Sequence, residues 1–134
     1  MKIEASSINE LIKNSADKKN DLIQLDKIMM KVNSSFERWL YTNHNYTMIA
    51  YGKLTIDPNY PLFCLAPQKN YISLYIFNCG DEDILIHSYR NKLGKVSTGK
   101  YCIKISNFDV VNLDKLIELL SECNLRNQEK KLEN

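Results

Sequence analysis

The stretch Tyr71-Ile72-Ser73-Leu74-Tyr75-Ile76-Phe77 decides the fold of this chain. Its even-numbered positions are aliphatic, and its odd-numbered positions are aromatic or carry a hydroxyl group. A period of two residues is the pattern of a β-strand whose two faces meet different surroundings. We therefore predict a strand over residues 71–77 that turns Ile72, Leu74 and Ile76 towards a core and its other face towards a second surface.

Three more segments are predicted to be strands, namely Tyr46–Ile56, Leu62–Ala66 and Tyr101–Ile105. In the last of these we expect Tyr101, Ile103 and Ile105 to point inward, because they alternate with polar residues. Proline-containing turns at residues 57–61 and 67–70 separate the first three strands. Turns this short join antiparallel neighbours, so the predicted sheet is antiparallel.

The chain before the sheet carries helix signals. Ser7 followed by Glu10 has the pattern of a capping box and predicts a short helix that ends near Asn14. Apolar residues then recur every three or four positions over Lys18–Val32, which predicts a second helix.

The polar run at residues 33–35 is expected to end that helix and to offer a new N-cap. Phe36, Trp39 and Leu40 have the spacing of one face of a short helical turn. A polar connection over residues 41–45 is predicted to lead into the first strand.

Two more helices are predicted after the third strand. One runs from Asp81 or Glu82 to Leu93, and Gly94 follows where a left-handed C′ glycine belongs. The last helix begins after the N-cap Asn112 and carries its apolar stripe at Leu113, Leu116, Ile117 and Leu120.

Helices on both sides of a block of strands predict an α+β domain, with an antiparallel sheet of about four to five strands packed on helices. At 134 residues the chain has the size of one domain. We place that domain at residues 1–123 and a polar C-terminal tail at 124–134, which either extends the last helix or frays.

The composition indicates a globular protein that stays in water. Hydrophobic residues make up 44% and charged residues 25% of the chain, as in ordinary globular domains. No apolar run approaches the roughly 18 residues of a membrane span, and the first residues lack the apolar region of a signal peptide. We expect a cytoplasmic location.

The segment Gly94-Lys95-Val96-Ser97-Thr98-Gly99-Lys100 matches the phosphate-binding pattern G-x-x-x-x-G-K. That pattern works when a strand precedes it and a helix follows, so that loop amides and the helix N-terminus converge on phosphate. Here a helix precedes and a strand follows, and Tyr101 replaces the hydroxyl residue that would hold magnesium. The sequence therefore disfavours a nucleotide hydrolase and leaves two readings: a solvated basic loop, or a loop that binds one anion without catalysis.

Metal and thiol chemistry have few candidates. Asp81, Glu82 and Asp83 suit a helix start, and with His87 one turn later they form a weak candidate site for a metal such as iron. The four cysteines form no C-x-x-C pair, which excludes the usual zinc sites. Cys79, before a helix, is the one thiol with a setting that could favour reactivity, and we expect no enzymatic activity from it.

The second face of the sheet is the best candidate for a binding surface. It is predicted to carry Tyr71, Ser73 and Tyr75 beside Cys102 and Lys104, unless a short helix or a dimer partner covers it. Together with the Lys95–Lys100 loop, this face indicates a non-enzymatic binding module for a small anionic ligand or a protein partner. The expected ligand-binding residues are Tyr71, Ser73, Tyr75, Lys95, Thr98, Gly99, Lys100 and Lys104. The net charge of +2 is too small to indicate nucleic acid, and we expect no membrane partner.

Residues 46–120 resemble the bacterial YdhG-like family of small domains of unknown function. Four segments carry the resemblance: Ala50-Tyr51-Gly52, Lys69-Asn70-Tyr71-Ile72-Ser73-Leu74-Tyr75, Leu93-Gly94-Lys95-Val96-Ser97-Thr98-Gly99-Lys100-Tyr101-Cys102-Ile103 and Asn112-Leu113-Asp114-Lys115-Leu116. The resemblance implies an α+β domain with an antiparallel sheet on helices. Some family members are described as frataxin-like iron chaperones, which implies an alternative function with iron held by Asp81, Asp83 and His87. This chain is slightly basic, however, and iron delivery of that type needs an acidic surface.

Overall fold

Six strands form the sheet of this protein, which we analysed as a computed structural model describing residues 2–32, 37–77 and 82–133, without the side chains of 82–84 and 131–133. The strands are β1 (Arg38–Thr42), β2 (Thr47–Lys53), β3 (Pro61–Pro67), β4 (Ile72–Ile76), β5 (Ser97–Thr98) and β6 (Cys102–Ile105). All neighbours are antiparallel, and the order across the sheet is β1-β2-β3-β4-β6-β5.

Four α-helices accompany the sheet: α1 (Ile8–Lys13), α2 (Lys19–Val32), α3 (Glu82–Tyr89) and α4 (Leu113–Glu133). The backbone N–H of Glu10 donates to the Ser7 Oγ, 3.1 Å away, and that of Lys115 donates to the Asn112 Oδ1, 3.2 Å away. Both predicted N-caps are therefore confirmed, because each satisfies an N–H group that the first helical turn leaves without a partner. None of the described helices combines the length and the apolar character needed to cross a membrane.

The main core lies between the helices and one face of the sheet. Ile72, Leu74 and Ile76 of β4 are fully buried there with Ile103 and Ile105 of β6. The helices contribute Leu22, Leu25 and Met29 from α2 and Leu116, Leu119 and Leu120 from α4, all buried in the same cluster. The α+β class, the antiparallel sheet and the core side of β4 are confirmed.

The prediction of a helical turn around Phe36, Trp39 and Leu40 was wrong for the part that the structure describes. Trp39 and Leu40 lie in β1, and this strand continues through Tyr41 and Thr42, where a polar connection was expected. The spacing of three and four residues imitates a helix, but this segment pairs with β2 as an antiparallel strand. Phe36 and the expected break at 33–35 lie outside the described residues.

The predicted end of the third helix was also wrong. α3 ends at Tyr89, so Gly94 is not its C′ residue. Gly94 does adopt the left-handed φ of +89° that the prediction implied, for a different reason: it forms an isolated bridge with Val111. A Cβ atom at Gly94 would lie 2.1 Å from the carbonyl oxygen of Val110, so only glycine permits this approach.

Three further expectations need correction or completion. The sheet has six strands rather than four to five, because β1 and the two-residue β5 were not predicted. Tyr101 lies before β6 and is 44% exposed, so it does not point inward, whereas Ile103 and Ile105 do. The polar tail extends α4 to Glu133.

Candidate functional site

The second face of the sheet carries its own cluster of apolar and aromatic side chains, which we call the aromatic face. Its floor is formed by four buried residues, Met48, Ala50, Cys64 and Ala66. Five half-buried aromatic residues pack on this floor: Trp39, Tyr41, Tyr46, Tyr75 and Phe77. No described helix contributes to the cluster, so the aromatic side chains themselves form the outer layer.

Strand register explains how the aromatic face is built. One row of paired residues crosses five strands in the order Trp39, Ala50, Cys64, Tyr75 and Cys102. The two small side chains in its middle lie between the large rings of Trp39 and Tyr75. Because residues directly opposite each other on neighbouring strands share a face, this row forms a shallow trough between two aromatic side chains.

A small recess opens at one end of the aromatic face. It has a volume of about 120 Å³ and is lined by Asn43, Tyr46, Met48, Tyr75 and Phe77. The ring centres of Tyr46 and Tyr75 are 6.0 Å apart, and Tyr75 stacks on Phe77 at the same distance. Both distances lie in the range that aromatic pairs favour, and these rings form the wall of the recess.

Tyr75 is the central residue of the recess. Burial, followed by the hydrogen bond with Tyr46, raises the pKa of Tyr75 to about 12. The phenol therefore stays neutral over the physiological pH range. Ser73, which is only 2% exposed, also hydrogen-bonds to Tyr75 and acts in the opposite direction, lowering the pKa of the phenol.

Two lysines lie over aromatic rings of this side of the sheet. The Lys104 ammonium is 5.2 Å from the centre of the Tyr71 ring, and Lys104 pairs with Ser73 across the strands. The Lys53 ammonium is 5.8 Å from the centre of the Trp39 ring. Each cation is attracted to the negative face of its ring, which holds positive charge beside the apolar floor.

Three backbone N–H groups of the Gly94–Lys100 segment are used within the chain. Lys95 donates to Val110, Val96 to Gly94 and Gly99 to Cys102, over 3.1, 2.9 and 2.8 Å. The side chains of Lys95 and Lys100 are exposed, and Lys100 lies over the ring of its neighbour Tyr101. Thr98 pairs with the buried Ile103 and so belongs to the helical side of the sheet. The structure thus brings together Tyr71, Ser73, Tyr75 and Lys104 of the predicted set. Gly99 lies next to Cys102, which is opposite Tyr75, whereas Thr98 belongs to the other face of the sheet.

The metal and thiol candidates gain no support. His87 is exposed, while Asp81 and the side chains of Glu82 and Asp83 lie outside the described residues, as does Cys79. Within the described parts of the chain, no three His, Cys, Asp or Glu side chains are grouped to hold a metal ion. Burial raises the pKa of the Cys64 thiol, which keeps it in the protonated, unreactive form.

Four aromatic residues of the site, Trp39, Tyr41, Tyr46 and Phe77, were not predicted as binding residues. Phe77 was nevertheless predicted to lie on this face of its strand, and the signal for two others was present, because Trp39 and Tyr41 alternate with Leu40 in the β pattern. Their side of the sheet follows from the pairing of Trp39 with Ala50 and of Tyr41 with Met48, which the sequence alone does not reveal.

Comparison with known proteins identifies no relative: no protein-family model, no curated protein and no solved structure matches the chain. The resemblance to YdhG-like domains stays a prediction.

Proposed function

We propose that this chain is a non-enzymatic binding domain and that its aromatic face takes up an apolar side chain of a protein partner. The observation that carries the proposal is the recess between Tyr46, Tyr75 and Phe77 on a sheet face to which no described helix contributes. Aromatic residues at the centre of a protein interface supply much of its binding energy, because they bury a large area in few conformations.

The size of the recess favours a protein partner over a small ligand. Its volume of about 120 Å³ is well below the roughly 300–1,000 Å³ of small-molecule sites. It suits one inserted side chain, while the trough between Trp39 and Tyr75 continues as contact surface. The Gly94–Lys100 segment has fewer donors to offer an anion than its sequence suggests, because the N–H groups of Lys95, Val96 and Gly99 already have partners within the chain.

The charge of the sheet favours a partner that is both apolar and acidic. The six strands of the described chain contain Arg38, Lys53 and Lys104 and no Asp or Glu. Lys53 and Lys104 lie over rings on the side of the sheet that carries the aromatic face. An acidic residue beside the inserted apolar side chain therefore meets a cation and no opposing carboxylate from the strands.

Photo-cross-linking in the cells that produce the protein tests this proposal. Benzoylphenylalanine is placed at position 46 in the recess and, as a control, at the exposed position 27 on α2. We expect a discrete protein adduct from position 46 and none from position 27. The additional substitution Tyr75→Ala should remove the adduct, because it destroys one wall of the recess.

Equal labelling from positions 46 and 27, or no adduct from position 46, would contradict the proposal. Circular dichroism of the Tyr75→Ala protein checks that the fold persists, so that loss of the adduct reports on the recess.

A further inference from the structure

β1 is an edge strand of the sheet in the described parts of the chain. It pairs with β2 on one side, and the sheet order places no described strand on the other. The hydrogen bonds at its two ends define which residues face β2: Gly52 N–H donates to Glu37 O over 3.2 Å, and Asn43 N–H donates to Tyr46 O over 3.0 Å.

These two bonds establish the direction of every backbone group between them. In an antiparallel pair, bonded and non-bonded positions alternate, so Trp39 and Tyr41 direct their N–H and C=O groups towards β2. Arg38, Leu40 and Thr42 direct theirs outward. An edge that presents such a row of donors and acceptors is a template for strand addition.

Recesses lie near this edge on both faces of the sheet. A cleft of about 460 Å³ on the helical side is lined by Ser7, Ile8, Asn9, Arg38 and Leu40. On the other side, Tyr41 pairs with Met48, which lines the recess of the aromatic face. Side chains of an added strand alternate between the faces, so they would reach the cleft and the aromatic face in turn.

Arg38 gives the cleft a preference for acid. Its Nη1 is buried and lies 3.6 Å from the Asp26 Oδ2, an ion pair without a hydrogen bond among the described residues. The arginine side chain as a whole is 28% exposed and lines the cleft, so its accessible N–H groups can donate to an incoming carboxylate.

From these observations we propose that an extended segment of a protein partner adds to the outer edge of β1 as a seventh strand. Its residues opposite Trp39 and Tyr41 are apolar and pack on the aromatic face, and its residue opposite Arg38 is acidic and enters the cleft. This inference rests on the proposed function, because it names the kind of segment that the binding domain recognises. Main-chain hydrogen bonds supply affinity, and the alternating side chains supply specificity.

The test uses a library of random seven-residue peptides displayed on phage, selected against the full chain. We expect enriched sequences that alternate apolar and polar residues and carry one Asp or Glu on the polar side. Binding of the best peptide should slow hydrogen exchange of the Arg38, Leu40 and Thr42 amides, since these outward amides gain acceptors. The amides of Trp39 and Tyr41 already donate to β2 and should change little.

Two matched controls isolate strand addition. N-methylation of the peptide amides that face β1 should weaken binding about tenfold or more, whereas methylation of the alternate amides should not. In the protein, Thr42→Pro deletes one outward N–H at an exposed edge position, where proline is tolerated, and should weaken binding similarly with the fold intact by circular dichroism.

Three results would overturn the inference: no enriched peptide, a bound peptide that leaves the Leu40 and Thr42 amides unprotected, or equal effects of the two methylation patterns. A fourth contradicting result would be a dimer, detected by light scattering, whose β1 amides are protected from exchange without peptide. In that case a second copy of the chain occupies the edge. If Tyr75→Ala abolishes peptide binding while Thr42→Pro does not, strand addition fails and the proposed function stands. If no peptide is enriched, the cross-linking experiment from position 46 still tests the proposed function independently.

Discussion

Gly94 approaches the backbone of Val110 so closely that a Cβ atom at Gly94 would lie 2.1 Å from the Val110 carbonyl oxygen. The contact is part of a short antiparallel bridge: Lys95 N–H donates to Val110 O over 3.1 Å, and Asn112 N–H donates to Leu93 O over 2.9 Å. The bridge joins the segment before β5 to the start of α4. The glycine at position 94, which is part of the phosphate-binding pattern, is therefore required by the steric demands of this bridge.

Gly94→Ala should therefore destabilise the protein strongly. The new methyl group meets backbone atoms that cannot rotate away, and the φ of +89° adds strain of about 1–3 kcal/mol. Gly99→Ala is the matched control, because its Cβ would meet the Cys102 sulfur at 3.1 Å, a side-chain atom that can move. Urea denaturation should show a much larger loss of unfolding free energy for Gly94→Ala, and equal losses would contradict this account of the bridge.

The Tyr51 hydroxyl donates to the Asp26 carboxylate over 2.5 Å, and both residues are buried. Burial, followed by the nearby Asp26 charge, raises the pKa of Tyr51, so the hydroxyl remains a donor at physiological pH. Tyr51→Phe removes this donor and should lower the unfolding free energy by about 1–3 kcal/mol. Tyr60→Phe, at a residue 51% exposed, should change it by less than about 0.5 kcal/mol. Similar values for the two variants would show that the buried hydrogen bond contributes nothing net.

Asn127 anchors the C-terminal half of α4 to the segment after β2. Its side-chain amide donates to Lys53 O over 3.0 Å and accepts from Thr55 N–H over 3.1 Å, and the residue is 2% exposed. Asn127→Ala leaves both backbone groups without a partner and should cost about 2 kcal/mol or more. The neighbouring exposed Gln128→Ala is the control. Thermal unfolding should show a lower midpoint temperature for Asn127→Ala than for Gln128→Ala. An unchanged midpoint for Asn127→Ala would refute the anchoring role.

Because the pKa of Tyr75 is raised, the free energy of unfolding should depend on pH in the alkaline range. The value is about 12 in the folded protein and about 10 in an unfolded chain. Between these values the unfolded state releases the proton first, so the free energy of unfolding falls as pH rises. Below pH about 10 the contribution is fully present.

Comparison of the wild-type protein with Tyr75→Phe tests this sign. Urea denaturation across the alkaline range should show a steeper loss of stability for the wild type above pH about 10, and a constant difference between the two proteins below it. Parallel curves throughout would contradict the raised pKa.

Local patterns were sufficient for much of the fold. The alternation in residues 71–77 correctly assigned the core side of β4, because the two faces of such a strand lie in different surroundings. Ser7 and Asn112 were recognised as N-caps, because capping depends on residues within one turn. β1 was missed, because the spacing of Trp39 and Leu40 fits a helix as well as a strand, and the pairing that decides between them involves residues far along the chain.

Part of the candidate site was also predictable from local patterns. Tyr71, Ser73, Tyr75 and Lys104 were placed together from period-two patterns in two strands, and the pairing of β4 with β6 does bring Ser73 opposite Lys104. The alternation also placed Phe77 on this face. Trp39 and Tyr46 escaped prediction, because their assembly around Tyr75 depends on register across several strands.

The sequence by itself determined the helix caps, the strands with clean alternation and the presence of an aromatic side of the sheet, since each depends on neighbours within a few residues. The tertiary structure alone decided that β1 is an edge strand, that Gly94 packs against Val110 and that the N–H groups of Lys95, Val96 and Gly99 are bonded within the chain. These features require groups distant in sequence to meet, and a hydrogen bond or a steric contact acts only over a few ångströms once folding has brought its partners together.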